Sequence, residues 1–257
     1  MSMKRDNPRQ YHIELAEGDI GRYVFLPGDP GRCEMIASYF DEPQKVASHR
    51  EYETWSGYLD GEKVAVMSTG IGGPSAAIGL EELVAIGADT FVRVGTSGSM
   101  QHHIKPGDIA IVSGAIRDEG TGLHYLPVEF PAIADLEITQ ALKDAAVGMD
   151  KNVHVGVSQS KDSFYGQHSP ERMPIANALK DRWAAWIGGG AICSEMEAAA
   201  LYIVASVLRV RAGGLMMVMG HPDQSPMTPE EWDASSVDKL LPVAIEGMRE
   251  IIRRDKA

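Results

Sequence analysis

The sequence predicts an α/β fold, built as a single domain over residues 1–257 around a mixed central β-sheet flanked by helices. Short apolar segments rich in β-branched residues alternate with segments of helical periodicity, which is typical of this class. No internal repeat, low-complexity tract or linker interrupts the alternation. The chain has 257 residues of which 44% are apolar, so it can bury a sizeable core without disulfide bonds.

The first half of the chain supplies five predicted strands and two predicted helices. The strands are predicted at residues 23–26, 52–59, 64–68, 91–94 and 109–113. The second and third strands form a pair that turns at Asp60-Gly61. One helix is expected to follow the turn at 27–30 and to run through Met35 and Tyr39, and the other spans 76–86. Loops are predicted at 70–74 and 95–98.

The second half continues the alternation and ends on a helix with a clear start signal. Helices are predicted at 136–146, 175–186 and 196–208, and strands at 153–157 and 212–219. For the last helix, Thr228 is the expected N-cap, Pro229 the first helical residue and Glu231 the third. Its apolar positions recur at helical spacing, at Leu241, Ile245, Met248 and Ile252.

Composition and charge favour a cytoplasmic protein that binds small molecules rather than nucleic acid or membrane. The net charge is −12, and the pair Arg253-Arg254 lies at a predicted helix end rather than in a basic patch. Cys33 and Cys193 fit neither a metal nor a disulfide framework, which indicates a reducing compartment. Residues 1–11 lack the apolar run of a signal peptide, and no apolar stretch is long enough to span a bilayer.

Arginines and glycines gather near the ends of predicted strands, where ligands bind in open α/β sheets. Gly28 and Arg32 follow the first strand, and Arg50 precedes the strand pair. Arg93 interrupts an apolar strand just before Thr96. An unpaired charge inside a strand is costly, so we expect Arg93 to serve a function, and arginine with glycine suits phosphate. Taken alone, Gly28 also fits a simple turn, Arg32 a solvated helix residue and Arg50 a surface ion pair.

The spacing of residues in the sequence motifs disfavours a dinucleotide-binding loop, a hydrolase nucleophile and a zinc site. The segment 70–75 lacks the third glycine of a dinucleotide-binding loop, and Pro74 breaks its spacing. The segment 95–98 is not the nucleophile turn of a hydrolase. The eight histidines form no zinc motif.

Two acids, Glu195 and Glu197, precede a strongly apolar helical run. Acidic residues are common in the first turn of a helix, because they interact favourably with its dipole. A second interpretation is that a carboxylate binds two neighbouring sugar hydroxyls, and both interpretations fit the sequence.

Taken together, seven segments resemble the uridine phosphorylases of nucleoside phosphorylase family I. They run in order over most of the chain: PGDPGR (27–32), SHREYETW (48–55), STGIGGPS (68–75), RVGTSG (93–98), LHYLPVEFPAIAD (123–135), KDSFYGQ (161–167) and SEMEAAAL (194–201). The resemblance implies a partly barrel-like sheet and a homo-hexamer of dimers that share active sites. It implies a pentosyltransferase that splits uridine with inorganic phosphate, in nucleoside salvage and catabolism, and needs no cofactor.

The resemblance also implies roles for individual residues. Phosphate would be bound by Gly28, Arg32, Arg93, Thr96 and, from the neighbouring subunit, Arg50. Ribose would be bound by Glu195, Met196, Glu197 and a neighbour's His12. The base would be bound by Phe164, Gln167 and Arg172, and a potassium ion by Glu51, Ile71 and Ser75. Arg93, Thr96, Glu197 and Arg172 are the expected catalytic residues.

The sequence departs from the family pattern at two places in the base site. More residues separate Gln167 from Arg172 than in the commonest form, and residues 218–224 lack the arginine usual in that region. His221 or Gln224 can substitute for that arginine, or the base preference can differ, and Asp223 would then face a purine. Three different functions also fit a chain of this kind: a nucleosidase that uses water, a non-catalytic nucleoside-binding protein and a dinucleotide oxidoreductase.

Overall fold

The computed structural model describes residues 9–257, and its strands form one continuous sheet. The strands are β1 (Tyr23–Pro27), β2 (Asp41–His49), β3 (Tyr52–Leu59), β4 (Glu62–Met67), β5 (Thr90–Ser99), β6 (Ile109–Asp118), β7 (Ala132–Ile133), β8 (Val153–Lys161), β9 (Cys193–Glu195) and β10 (Arg211–Val218). The helices are α1 (Gly31–Ala37), α2 (Gly73–Ala85), α3 (Leu136–Gly148), α4 (Phe164–His168), α5 (Ala176–Gly188), α6 (Ala198–Leu208), α7 (Pro229–Ala234) and α8 (Leu241–Lys256). The predicted mixed α/β fold is therefore confirmed.

Half of the sheet closes on itself as a partial barrel. Strand β10 pairs in parallel with β5 and antiparallel with β6, and β6 pairs in parallel with β8. Strand β9 then connects β8 back to β5, which completes the circuit. From β5 the sheet continues outward as an open ribbon through β1, β4, β3 and β2. The carboxyl ends of β1, β5 and β10 lie side by side because these three strands are parallel neighbours.

Helices cover both faces of the sheet and divide the core in two. On one face, α2 and α6 pack against apolar side chains that include Val24, Leu26 and Met67. On the other face, α1, α3 and α8 pack against residues that include Phe25, Val66 and Val92. Successive side chains of a strand point to opposite faces, so the apolar run of β1 fills both layers at once.

Helix α6 is buried along most of its length and delivers the acidic segment to the sheet. The residues from Ala198 to Ala205 are all buried, which explains a helix that is apolar all round. Glu195 is the last residue of β9 and Glu197 is the residue before α6, so neither lies inside the helix. The prediction of a helix beginning at Met196 is therefore wrong by two residues.

The structure differs from the predicted local structure at three other places. Residues 95–98 are not a loop, because β5 continues through them with partners on both sides. Strand β2 was not predicted, since its residues are polar and largely exposed. The capping box at Thr228 and Glu231 is confirmed, but it starts the short helix α7 rather than the terminal helix α8.

Among residues 9–257, no helix is long and apolar enough to cross a membrane.

Gly213 is the point of closest approach between β10 and α3. A Cβ atom at Gly213 would lie 2.4 Å from Cγ2 of Ile138 and 3.1 Å from its Cβ, and a β-branched side chain cannot turn away. We predict that Gly213→Ala lowers the free energy of unfolding by about 1–3 kcal/mol, measured by urea denaturation.

Gly148 at the end of α3 is the matched control, because a Cβ there meets no described residue within 4 Å. Gly148→Ala should leave the urea midpoint unchanged or raise it slightly. Equal midpoints for the two variants would contradict close packing of α3 on β10.

Candidate active site

A cleft of about 940 Å³ opens where the carboxyl ends of β1, β5, β8 and β9 meet the segment after β10. This position follows from the topology, since ligands in open α/β sheets bind beyond the carboxyl ends of the strands. The structure brings most of the predicted site residues to this cleft. Those that line it are Gly28, Arg32, Ile71, Arg93, Thr96, Phe164, Gln167, Glu195, Met196 and Glu197.

Arg93 lies at the floor of the cleft between two carboxylates. Its Nε is 3.2 Å from Glu195 Oε2, and its Nη2 donates to Glu197 Oε2. The Arg93 side chain is only 5% exposed. Burial works to lower the pKa of Arg93, but the charges of Glu197 and Glu195 raise it overall. Among residues 9–257 the remaining nitrogen, Nη1, has no hydrogen-bond partner, so a buried donor is left unsatisfied in a residue that lines the cleft.

Gly95 provides the space that this guanidinium occupies. Arg93 and Gly95 are two residues apart on β5 and so point to the same face of the sheet. A Cβ at Gly95 would lie 3.0 Å from Arg93 Nη2 and 2.5 Å from Met216 Sδ. A larger residue at position 95 would therefore displace the arginine from its two carboxylates.

Arg32 brings a second cation to the same cleft from the first turn of α1. Its Nε is 4.0 Å from Asp29 Oδ2, a weak contact, and the side chain is 18% exposed. Burial lowers the pKa of Arg32, and the nearby charge of Arg93 lowers it further. Two cations that share a partly buried cleft favour an anion between them, because it would offset both their repulsion and their lost hydration.

The two glutamates occupy different positions around Arg93. Glu195 has a fully buried side chain and accepts hydrogen bonds from Ser160 and from the backbone N–H groups of Glu197 and Ala198. Glu197 accepts from the backbone N–H of Gly72 at 2.6 Å through Oε1 and from Arg93 through Oε2. Burial raises the pKa of Glu197, although the charge of Arg93 opposes this. Glu195 is thus fixed in the scaffold, and Glu197 borders the cleft.

A second group of polar side chains lines the cleft around Gln167. Ser194 Oγ lies 2.7 Å from Gln167 Oε1 and also 2.7 Å from Nζ of Lys161. Lys161 is the last residue of β8, and burial lowers its pKa to about 8. The ring of Phe164 is half exposed beside this group and lies 4.2 Å from the ring of His168.

Lys161 is a cleft residue that sequence reasoning missed. Its signal was present, since a lysine at the end of an apolar strand opens the KDSFYGQ segment already used for Phe164 and Gln167. The prediction passed over it because strand β8 was expected to end at residue 157, four residues too early.

Arg172 does not line the cleft. It lies in a short 3₁₀ turn at Pro170–Arg172, and its guanidinium carbon is 5.8 Å from the centre of the Tyr165 ring. In this chain Arg172 therefore lies against an aromatic ring rather than in the cleft.

The segment after β10 closes the side of the cleft near Gln167. His221 and Gln224 both line the cleft, whereas Asp223 does not line it. Nε2 of His221 is 3.1 Å from Glu231 Oε1, which anchors the segment to the capping box of α7. Asp223 accepts from the backbone N–H of Ser225 at 3.0 Å.

His12 and Arg50 lie outside the cleft of their own chain. Nδ1 of His12 is 2.7 Å from Glu82 Oε1, and Glu82 also accepts from the backbone N–H groups of His12 and Ile13. Arg50 is exposed in the turn between β2 and β3 with φ of 55°. Neither residue is among those that line the cleft of this chain.

Glu51 and Ser75 are adjacent on the same side of the molecule as Arg50. The hydroxyl of Ser75 is 2.6 Å from Glu51 Oε1, and Ile71 lies 78% exposed in the loop before α2. Among residues 9–257, no group of three or more histidines, cysteines or acids is arranged to hold a metal ion. Glu51 and Ser75 offer oxygen atoms only, which is the donor set of a hard cation.

Comparison with known proteins agrees with this geometry. Residues 22–254 match the model of the phosphorylase superfamily. The chain is 49% identical to the uridine phosphorylase of Treponema pallidum, over 96% of this chain and 95% of that protein. It is 38% identical to the uridine phosphorylase of Escherichia coli, over 94% and 98% of the two chains.

A relative with a different name matches less closely. The guanosine phosphorylase of Halorubrum lacusprofundi is 37% identical, over 83% of this chain and 84% of that protein. The family match covers nine-tenths of the sequence and includes every strand of the partial barrel and the whole lining of the cleft. The chain belongs to the phosphorylase superfamily.

Proposed function

We propose that this protein is a uridine phosphorylase, which transfers the ribosyl group of uridine to inorganic phosphate and releases uracil. The observation that carries the proposal is the buried Nη1 of Arg93, unpartnered within the described chain, in a cleft shared with Arg32. Water as the nucleophile requires no pair of cations, whereas a phosphate dianion does. Relatives named uridine phosphorylase match over nearly the whole chain, which supports the same reaction here.

In this proposal phosphate binds between the first turn of α1 and the middle of β5. Arg32 and Arg93 donate charge-assisted hydrogen bonds to it, and Thr96 and the backbone at Gly28 complete the site. The carboxylate of Glu195, held by two serine hydroxyls and two backbone N–H groups, fixes the direction of Arg93 and so acts as a positioning residue. Phosphate is thereby oriented beneath the anomeric carbon, where orientation supplies much of the rate.

Glu197 and Met196 border the expected ribose position. The carboxylate of Glu197 can accept from both the 2′- and 3′-hydroxyls, and the bond from Gly72 N–H holds it in place. As the glycosidic bond breaks, positive charge develops on the sugar ring, and phosphate below it neutralises that charge. The bond to N1 of uracil breaks with its electron pair, and phosphate oxygen forms the new bond to C1′.

The departing base becomes an anion and is expected to lie against Phe164 and Gln167. Gln167 can accept from N3–H and donate to a neighbouring carbonyl oxygen, and Phe164 offers a ring face. Arg172, directed at Tyr165, is not among the groups we assign to this step. His221 lies in the segment that lines this side of the cleft and takes the place of the arginine of relatives.

Guanosine phosphorolysis is the second candidate, favoured by the relative from Halorubrum. A purine would need a proton donor for N7, and Asp223 lies outside the cleft lining. The polar group around Gln167 and the higher identity to uridine phosphorylases favour the pyrimidine.

We further propose a homo-hexamer of dimers in which each cleft is completed by the neighbour's Arg50 and His12. Support comes from the exposed position of Arg50 and from Glu82, which holds the His12 ring away from its own cleft. A potassium ion at Glu51, Ile71 and Ser75 would sit at the same interface. The free, buried thiols of Cys33 and Cys193 support a reducing cytoplasm, and the chain would act there as one domain.

The reaction itself is tested by a phosphate-dependence assay. We predict that uridine is converted to uracil only when phosphate is present, and that ribose 1-phosphate forms in equal amount, measured by chromatography and phosphorus NMR. The panel includes thymidine, cytidine, inosine, guanosine and adenosine. Release of uracil at an unchanged rate without phosphate would identify a nucleosidase, and a preference for guanosine would establish the second candidate.

Arg93 is tested by Arg93→Lys, which keeps the charge between Glu195 and Glu197 but loses the planar fork. We predict that kcat/KM falls by about 10²–10³, mainly through a raised KM for phosphate, because a lysine ammonium cannot pair with both carboxylates and also replace the donor at Nη1. Steady-state kinetics with phosphate varied at saturating uridine measures this. Arg253→Ala is the control, since Arg253 pairs with Glu246 and Glu250 on the exposed side of α8. Unchanged phosphate kinetics in Arg93→Lys would remove Arg93 from the site.

Shared active sites are tested by mixing two defective subunits. Arg50→Ala and Arg93→Ala should each be nearly inactive alone. In a mixed dimer one cleft receives both intact arginines, so random co-assembly should restore about a quarter of wild-type activity. Activity of differently tagged, co-expressed and doubly purified subunits gives the measurement. No recovery in mixed assemblies, with Arg50→Ala inactive, would place Arg50 in its own chain's machinery.

A further inference from the structure

A chain of buried hydrogen bonds ends on the amide of Gln167. Nε2 of Gln159 donates to Asp118 Oδ2 at 2.8 Å, and Gln159 Oε1 lies 2.5 Å from Ser194 Oγ. Ser194 Oγ in turn lies 2.7 Å from Lys161 Nζ and 2.7 Å from the end of the Gln167 side chain. Gln159, Ser194 and Lys161 are all more than nine-tenths buried, so water does not compete as a partner.

The direction of the chain is set at Asp118. A carboxylate only accepts hydrogen bonds, and Asp118 accepts from Arg182 through its other oxygen. Gln159 must therefore turn its NH₂ group toward Asp118 and its carbonyl oxygen toward Ser194. That carbonyl oxygen needs a donor, and the hydroxyl proton of Ser194 lies at hydrogen-bond distance from it.

The next step is a count of protons at Ser194. Its single hydroxyl proton is used by Gln159, and the ammonium group of Lys161 can only donate to Oγ. Lys161 carries its proton at neutral pH, since its pKa is about 8. Ser194 therefore has no proton left for Gln167 and can only accept from it.

The amide of Gln167 has two orientations of the same shape, and hydrogen bonding decides between them. With Oε1 beside Ser194 Oγ, at 2.7 Å, two acceptors face each other without a proton between them. Rotation of the amide by 180° places Nε2 there, where it donates to the remaining lone pair of Ser194. The rotated form satisfies every member of the chain, and it turns the carbonyl oxygen of Gln167 away from Ser194.

We propose that Asp118, Gln159, Lys161 and Ser194 lock Gln167 in the orientation that presents its carbonyl oxygen to the base, so that the cleft selects a base with an N–H there. This inference rests on the proposed function for the position of the base. The four residues are positioning residues, and Gln167 is the group that contacts the ligand.

The ligand class follows from the presented acceptor. Uracil and thymine carry N–H at N3 between two carbonyl groups, and this N–H matches the carbonyl oxygen of Gln167. Cytosine has a bare N3 acceptor at that place, so the locked amide faces it with a second acceptor. An unlocked amide can rotate and donate to cytosine N3, and the discrimination between the two bases would then fall.

The test disrupts this hydrogen-bond chain, here called the lock, once next to Gln167 and once at its far end. Ser194→Ala deletes the hydroxyl itself, and Asp118→Asn keeps the shape of the remote end but lets Gln159 rotate. Asp118 is outside the cleft lining, so this variant leaves the groups that touch the ligand in place. We expect the uridine-to-cytidine ratio of kcat/KM to fall by about tenfold in Ser194→Ala, the effect of one hydrogen bond, and by less in Asp118→Asn.

The matched control is Ser158→Ala, which deletes a hydroxyl of the same size on β8. Ser158 Oγ contacts Glu195 at 3.3 Å and takes no part in the chain to Gln167. Its base ratio should equal that of wild type. In the two lock variants the phosphate KM should also stay at the wild-type value. A general loss of order in the cleft would change it.

Titration calorimetry with free uracil and cytosine separates this inference from the proposed function. If wild-type protein fails to turn over uridine, the proposed function fails. The ratio of the affinities for uracil and cytosine, compared between wild type and the variants, still tests whether the four residues fix the orientation of Gln167. Wild-type discrimination in both Ser194→Ala and Asp118→Asn would overturn the lock. A Ser194→Ala variant that does not fold leaves Asp118→Asn to decide, and thermal unfolding identifies that case.

Discussion

The ion pair network of Arg93 with Glu195 and Glu197 is the interaction on which the site depends. A buried guanidinium is tolerated only when it is paired, and here two carboxylates from one short segment pair with it. Within residues 9–257 the pairing leaves one nitrogen of Arg93 without a partner. The same contacts that stabilise the charge inside the sheet therefore hold this residue in the lining of the cleft with one donor unused.

The topology makes this network available. Arg93 lies on β5, Glu195 on β9 and Glu197 just before α6, and β5 pairs with β9 where the partial barrel closes. Closure thus brings residues about 100 positions apart into contact. Gly95 makes room for the guanidinium of Arg93, and Gly213 lets α3 approach β10 closely.

The sequence predicted the parts of the fold that carry strong local signals. The strand pair around Asp60-Gly61 and the capping box of Thr228 and Glu231 are as expected. Strand β2 escaped prediction because its polar, exposed residues have no apolar alternation, and residues 95–98 looked like a turn because of two glycines. Residues 95–98 take strand conformation through pairing with β10 and β9, which are distant in sequence and which local propensity does not report.

The candidate site divides in the same way. Gly28 and Arg32 were predictable because they follow the end of a strand, and Arg93 because it is a charge inside an apolar strand. Lys161 was missed because the true length of β8 depends on its pairing with β6 and β9. Arg172 was assigned to the base by resemblance, whereas in this structure its guanidinium lies over the ring of Tyr165, outside the cleft lining. For His12 and Arg50, the structure of a single chain shows only that neither residue lines the cleft. A contact with a second chain cannot be predicted from local sequence patterns.

Strand β2 forms an outer margin of the ribbon, and its construction affects how copies of the chain associate. An exposed, regular edge strand has unpaired backbone N–H and C=O groups, and strands of other molecules can pair with them and form fibres. In β2 the register shifts twice, between Asp41 and Gln44 and between Lys45 and Ala47, and Pro43 within it lacks an N–H. This irregular edge strand pairs poorly with further strands, so it can stay polar and accessible without becoming a template for aggregation.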